Sequence, residues 1–377
     1  MEHEVPPERV ERLLEHDDSE VARHLEGVDR PLEFDREVDE VSFCRNVFLP
    51  LSTACVNSCD YCAFYDRADE ATLMSPEDVD GVLERGVEAG CTEALFSFGT
   101  RPEVYPSVRD GLRELGHETA VDYLFECCER ALDRGLLPHS NPGLLEHDEI
   151  ERLREVNASM GLMLETTAEV DAHRGFESKT PWRRLRHLDD AGRLDVPFTT
   201  GLLVGLGETW RDRVESLLAL RDVHRRHGHV QEVIIQNVVS NERSDYERPS
   251  FDVVARVVRL ARSILPDDVE IQVPPNLTPR VPDLVRLGVG DLGGVSPVTV
   301  DHVNPDYAWP AIERLRDVAG EAGATLVERL PVYETYLTEG WCSGRVLEAA
   351  GLHGGGHAMD GSEKPFDGRR PNSPKEI

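Results

Sequence analysis

From about residue 41 onward, short apolar runs alternate with amphipathic helical stretches, and this alternation limits the chain to few folds. The apolar runs lie at residues 47–51, 94–98, 136–139, 158–164, 198–204, 232–238 and 269–273, with a weaker one at 288–293. They have the length of strands rather than helices. The stretches between them open with helix-start signals. Ser75-Pro76-Glu77-Asp78 offers an N-cap hydroxyl, a proline at the first helical position and an acid at the third, and predicts a helix running to Gly90. Thr180-Pro181 opens another that ends near Gly192, and Thr209-Trp210-Arg211-Asp212 opens a third that ends near Gly228.

Eight strands alternating with helices predict an α/β fold whose parallel sheet closes as a TIM-type (β/α)8 barrel. No Pro/Gly/Ser linker interrupts the series, so two doubly wound domains fit less well. The expected organisation is an acidic helical arm over 1–40, amphipathic around residues 10–25, a barrel domain over 41–350, and a Gly-rich polar tail over 351–377.

Composition narrows the function. The chain has 377 residues, 40% of them hydrophobic, which is ample for a core. Its 41 Lys+Arg against 72 Asp+Glu give a net charge of −31. Such a chain binds neither nucleic acid nor an anionic membrane non-specifically, because both need a basic excess. Lysine occurs only at Lys179, Lys364 and Lys375. Acid excess with almost no lysine reads as the solvating surface of a salt-adapted organism. The first residues are acidic, unlike a secretory leader. The longest nearly apolar stretch, 196–207, falls short of the ~20 residues of a membrane span. A soluble, cytoplasmic protein is expected.

Three of the eight cysteines, Cys55, Cys59 and Cys62, fall on one short segment directly after the first strand. Barrel active sites lie in loops after strand C-termini, so the position is meaningful. Three thiolates on one loop can hold iron–sulfur or zinc. A structural zinc site wants four ligands, and the nearest candidates to complete one, His353 and His357, lie at the Gly-rich tail. Three thiolates leave one iron of a 4Fe–4S cube open, as a catalyst requires. The alternatives are unrelated buried cysteines, or a zinc site completed by a distant residue in a barrel that only binds. Cys44, Cys91, Cys127, Cys128 and Cys342 are scattered and read as small buried residues.

The C-x3-C-x2-C spacing, with Tyr61 before the last cysteine, resembles the signature of the radical S-adenosylmethionine (SAM) superfamily. The resemblance implies that Cys55, Cys59 and Cys62 bind a 4Fe–4S cluster whose fourth iron chelates SAM, with Tyr61 near the adenine. Phe98-Gly99-Thr100-Arg101-Pro102-Glu103 is similar to the motif that meets the SAM amino group, which implies roles for Gly99 and Glu103. Met163-Leu164-Glu165 places a carboxylate at a strand end, where relatives meet SAM. Lys179 and Arg184 are the expected cations there, Arg184 as partner of the SAM carboxylate with Arg183 as its rival. Gly205-Leu206-Gly207-Glu208-Thr209 lacks the third glycine of a dinucleotide fingerprint and looks like the family segment that runs along the adenine.

Together with these, Gly293-Gly-Val-Ser296-Pro297-Val-Thr299-Val-Asp301-His302-Val-Asn304-Pro305 resembles the CofG family over roughly residues 44–340. That family is the SAM-dependent synthase subunit for 7,8-didemethyl-8-hydroxy-5-deazariboflavin, the chromophore of a deazaflavin coenzyme. The resemblance implies that a CofH-type partner joins the hydroxybenzyl group of tyrosine to 5-amino-6-(D-ribitylamino)uracil. The enzyme then abstracts hydrogen from that adduct, and ring closure with loss of ammonia follows. Asp301 and Asn304 would hydrogen-bond the substrate, and His302 would serve as base for ring closure. One stretch, residues 172–179, departs from the family pattern at Phe176-Glu177. The alternatives within the superfamily are the adduct-forming CofH-type partner itself or a menaquinone-pathway relative.

The charge yields a first prediction. Salt screens acid–acid repulsion, so the thermal midpoint and activity should both rise steeply as KCl is raised from millimolar to molar concentration. Full stability in dilute buffer would refute the salt-adapted reading.

Overall fold

The computed structural model describes residues 8–66 and 71–353. Eight parallel strands close a ring: β1 (Glu40–Ser52), β2 (Glu93–Phe98), β3 (Leu137–Asn141), β4 (Ser159–Gly161), β5 (Phe198–Val204), β6 (Val230–Asn237), β7 (Glu270–Gln272) and β8 (Asp291–Val295), with β8 pairing back onto β1. Helices α1 (Glu8–Glu11) and α2 (Asp18–Val28) precede the ring. Around it run α3 (Pro76–Glu88), α4 (Pro106–Glu114), α5 (Ala120–Leu132), α6 (His147–Arg154), α7 (Pro181–Arg193), α8 (Trp210–His227), α9 (Phe251–Ile264), α10 (Val281–Val285) and α11 (Ile312–Ala322). This is the (β/α)8 barrel, and the helix starts lie where the caps place them. Ser75 Oγ accepts from Asp78 N and Thr209 Oγ1 from Asp212 N, each within a reciprocal capping box.

The strands alternate in the period of two that a half-lumenal strand requires. On β6, Val233 and Ile235 are fully buried in the hydrophobic core, while Glu232, Ile234 and Gln236 line the barrel interior. The arm packs on the outside. Val10, Leu13, Val21 and Val28 join the core, and Glu20 pairs with Arg221 of α8 at 2.6 Å. The first strand begins at Glu40, so the arm ends where the barrel starts. Most of the polar tail, residues 354–377, lies outside the described residues.

Sequence reading missed one strand. β9 (Thr325–Arg329) pairs in parallel with Glu40–Cys44 of β1, and α12 (Gly344–Gly351) follows. β1 is 13 residues long, which gives its lower half room for β9 while its upper half pairs with β2. β9 alternates weakly and is only half-buried, so hydrophobic periodicity did not reveal it. The chain beyond it crosses the barrel floor. Pro331 O accepts from Ser159 Oγ (2.7 Å) and Gln231 Nε2 (3.0 Å) at the starts of β4 and β6. Arg329 projects into the floor and bonds Asp291 (2.5 Å) and Glu232 (2.9 Å), and Tyr333 Oη donates to both carboxylates.

Arg329 is therefore the counter-charge of two buried acids. Removing one partner of a buried ion pair strands the others and costs about 3–5 kcal/mol. Arg329→Met should lower unfolding free energy by about that amount in denaturant titrations, and adding Glu232→Gln should restore part of it. An unchanged midpoint in the single variant would mean the floor contributes nothing.

Candidate active site

The loop after β1 carries the three cysteines, and all three line a cavity of about 320 Å3 at the C-terminal end of the barrel. The loop is pinned from several sides. Tyr105 Oη donates to Cys55 O (2.9 Å), Ser178 Oγ to Asn57 Oδ1 (2.9 Å), and Asn241 Nδ2 to Tyr61 O (2.9 Å). Gly99 ends β2 against it: a Cβ there would lie 2.3 Å from Cys55 Cβ and 2.4 Å from Ala54 O. Only glycine allows that approach.

Burial pushes all three thiols up, but backbone N–H groups oppose it. Those of Asn57 and Thr100 stabilise the Cys55 thiolate, and those of Phe64 and Tyr65 stabilise that of Cys62. N–H groups aimed at sulfur are what an iron–sulfur cluster needs to tune its thiolate ligands. Three thiols lining one cavity, with amides directed at two of them, are the donor chemistry such a cluster takes, although among the described residues no three metal-ligating side chains are gathered closely enough to hold a metal ion.

Glu165 forms the opposite wall. Its Oε1 lies 2.7 Å from Lys179 Nζ and 3.5 Å from Arg184 Nη1. Its Oε2 accepts from Tyr61 Oη (2.7 Å) and sits 2.8 Å from His173 Nε2. Lys179 Nζ also donates to Tyr61 Oη at 2.9 Å. Burial alone would raise the Glu165 pKa, yet Arg184 and Lys179 overcome it and hold the carboxyl well below its usual range. Glu165, beyond the end of β4, adopts φ +67°, which is strained for a residue with a side chain. Arg184 is buried, and it donates to the carbonyls of Met163 and Ser178.

Of the expected residues, Cys55, Cys59, Cys62, Gly99, Glu165, Lys179 and Arg184 surround this one cavity. Tyr61 joins them through its hydroxyl. Glu103 does not line the cavity and lies 3.9 Å from Arg101, because a short helix, Pro102–Val104, begins directly after Arg101. Gly205 and Gly207 do not line it either. Gly205 (φ +108°) packs on Val238 and Pro249, and Glu208 closes the turn by accepting from Gly205 N and Leu206 N. Asp301 and Asn304 border an adjoining chamber, but the Asp301 carboxylate is engaged by Val303 N, Asn304 N and Asn276 Nδ2 of its own neighbourhood. His302 packs 5.3 Å from the Phe48 ring and lines neither space. His173 was not anticipated, although it falls in the stretch 172–179 that departs from the family pattern. Arg183, the rival cation, pairs with Glu146 and Glu177 instead.

Residues 49–220 match the model of the radical SAM superfamily. With the barrel and the cysteine loop, this makes the chain a radical SAM enzyme, a class whose chemistry implies a 4Fe–4S cluster and SAM. Curated relatives define it further. The 7,8-didemethyl-8-hydroxy-5-deazariboflavin synthase of Haloarcula marismortui is 51% identical over 89% of this chain and 90% of its own. Those of Halobacterium salinarum and Methanosphaerula palustris are 53% and 51% identical, over 82% and 80% of this chain and 86% and 92% of theirs. The chain belongs to the 7,8-didemethyl-8-hydroxy-5-deazariboflavin synthase family. The FeFe-hydrogenase maturase HydG of Carboxydothermus hydrogenoformans shares the fold at 17% identity, with a TM-score of 0.61 over 92% of this chain and 75% of that one. Methylornithine synthase shares it at 15% identity and a TM-score of 0.57, over 84% of this chain and 92% of that one. Among the described residues no helix is long and apolar enough to cross a membrane.

A depressed carboxyl contributes stability above its unfolded pKa and loses it only as pH falls through the folded one. Glu165→Gln leaves Lys179 and Arg184 buried without counter-charge. Unfolding free energy at neutral pH should drop by about 3–5 kcal/mol, and the difference from wild type should vanish toward strongly acid pH. Denaturation curves across pH check this, and a difference that persists in acid would argue against the ion cluster.

Proposed function

We propose that this chain converts the adduct of tyrosine's hydroxybenzyl group with 5-amino-6-(D-ribitylamino)uracil into 7,8-didemethyl-8-hydroxy-5-deazariboflavin, with loss of ammonia. The observation that carries this is the single cavity shared by three cysteines and the Glu165–Lys179–Arg184 cluster, in a chain about half identical to synthases of that name. Cys55, Cys59 and Cys62 would hold the cluster, and three thiolates leave one iron free for the amino and carboxylate groups of SAM. When bound, the cluster and SAM supply a 5′-deoxyadenosyl radical by one-electron cleavage of the sulfonium.

The chain's own residues orient and enclose. Gly99 lets the end of β2 press against the cysteine loop. Lys179 and Arg184 sit at the cavity wall, where a carboxylate ligand would find them. The Tyr61 hydroxyl, fixed by Glu165 and Lys179, holds the ring of the residue before Cys62 in place. Phe48, Phe64, Phe98 and Met163 give the cavity an apolar wall that excludes water from a reactive radical. The adduct itself is taken to come from a separate CofH-type enzyme.

Two tests follow. Anaerobically reconstituted protein should be brown, and Cys59→Ala should be colourless with its far-UV circular dichroism unchanged. Colourless wild-type protein carrying stoichiometric zinc would overturn the cluster assignment. Reduced protein given SAM and the adduct should release 5′-deoxyadenosine together with blue-green deazaflavin fluorescence. Deoxyadenosine without fluorescence would keep the radical chemistry and move the substrate to that of the CofH-type partner or a menaquinone-pathway relative.

A further inference from the structure

Below the cysteine cavity the barrel interior opens into a second chamber of about 190 Å3. The two spaces share Phe48, Leu95, Asn141, Thr199, Ile234 and Gln236 in their linings, so they meet at a neck across the barrel. Together they reach the ~300–1,000 Å3 of a small-molecule site. Both linings mix apolar and polar groups, but their charges differ. The upper space carries the three thiols and the Glu165–Lys179–Arg184 cluster among its aromatic and aliphatic side chains, whereas the lower carries amides, carboxyls and Arg329 beside Leu95, Ile234 and Leu292.

The lower chamber holds polar groups that the fold itself does not use. Asn276 Oδ1 and Trp309 Nε1 are buried without a hydrogen-bond partner, and both residues line it. Buried polar atoms left open in this way call for a ligand or ordered water. Glu93, the first residue of β2, is buried at the floor end of the same chamber, whereas Asn276 and Trp309 lie on the loops after β7 and β8. It has no ion pair among the described residues, and the Cys44 thiol, the Asn46 amide and the charge of Arg329 act on it. Burial pushes its carboxyl up. Arg329 is the only cation lining the chamber among the described residues, and it is committed to Asp291 and Glu232. His139 adds no charge, because burial holds its pKa down to about 3. The space therefore offers donors and acceptors with no free positive charge, and carboxyls outnumber the cation.

Such a lining suits a neutral chain with several hydroxyls and repels a phosphate. We propose that the lower chamber takes the ribityl chain of the substrate, with Glu93 accepting from its hydroxyls, and that it rejects the 5′-phosphorylated chain. The aromatic end of the adduct then lies in the upper space beside the cysteine loop. This rests on the substrate assigned above.

The test uses the full reconstituted chain and three adducts, bearing ribityl, ethyl or 5′-phosphoribityl on the same nitrogen. Binding is followed by calorimetric titration, and turnover by fluorescence. A site built to hydrogen-bond a ligand discriminates strongly against analogues that lack the group. The ribityl adduct should bind at least about tenfold tighter than the ethyl and the phosphorylated ones. Glu93→Leu should weaken the ribityl adduct by about tenfold and leave the ethyl adduct within about twofold. Glu93→Gln, which keeps the shape and removes the charge, should narrow the gap between ribityl and phosphoribityl. Equal binding of all three adducts, or an equal loss for ribityl and ethyl in Glu93→Leu, would overturn the proposal. Tight, chain-dependent binding without deazaflavin would keep the chamber and refute the function. Deazaflavin formation with chain-independent binding would do the reverse.

Discussion

A carboxylate in the dry interior of a protein is stable only where cations and donors replace the water it loses. Glu165 obtains both, and in doing so it ties four segments to one point. Tyr61 arrives from the cysteine loop, His173 from the turn after β4, Lys179 from the short helix Glu177–Lys179, and Arg184 from α7. Three of them lie on the connection that leads from β4 into α7, and Tyr61 comes from a distant part of the chain. The strained φ of Glu165 persists because backbone bonds hold it on both sides: Glu165 N donates to Gly201 O (2.9 Å), and Leu203 N donates to Glu165 O (3.0 Å). About 1–3 kcal/mol of strain is small beside the ion pairs it makes possible. The cysteine loop, itself irregular and held also by Tyr105, Ser178 and Asn241, takes a further tie from this anchor through Tyr61.

The second constraint is that a closed parallel barrel must account for its interior. Side chains ordinarily fill it in layers. Here the segment after β9 stops the floor, Arg329 neutralises two acids there, and the space between floor and mouth stays open. The result is a continuous interior space from the cysteine loop to the floor, with cations at the cysteine end and carboxyls at depth.

What was legible in the sequence was whatever is local. Strand runs, capping boxes and the cysteine spacing each lie within a few residues, and a pattern of that reach survives without coordinates. The eight ring strands and the three main helix starts were readable for that reason. Ends and long-range partners were not. The apolar run 158–164 contributes only Ser159–Gly161 to the sheet, because its remainder bends to deliver Glu165. β9 is a half-exposed strand whose partner lies some 280 residues away in sequence, as the pairing of Thr325 with Glu40 shows. Glu103 stood at a plausible motif position, but a one-turn helix carried it to Arg101. The lumenal set of Glu93, His139, Gln272 and Arg329 carried no motif at all. Each sits on a different short strand of mixed polar and apolar residues, and only closure of the ring brings them to one space.

The charge of the chain sharpens the meaning of its one described lysine. Arginine does most of the cationic work here, and much of it is structural: Arg256 and Arg259 use their forks to bind the carbonyls that end α2. A planar guanidinium serves that task well. At residue 179 the requirement is different. The head group fits between Tyr61 Oη (2.9 Å) and Glu165 Oε1 (2.7 Å), 5.5 Å from the tyrosine ring, while Arg184 already occupies the other side of the carboxylate. A second fork would crowd the first, whereas a compact ammonium can direct three donors to a tyrosine, a carboxylate and the open cavity. A chain with two other lysines thus keeps one at the point where geometry favours a point charge over a plane.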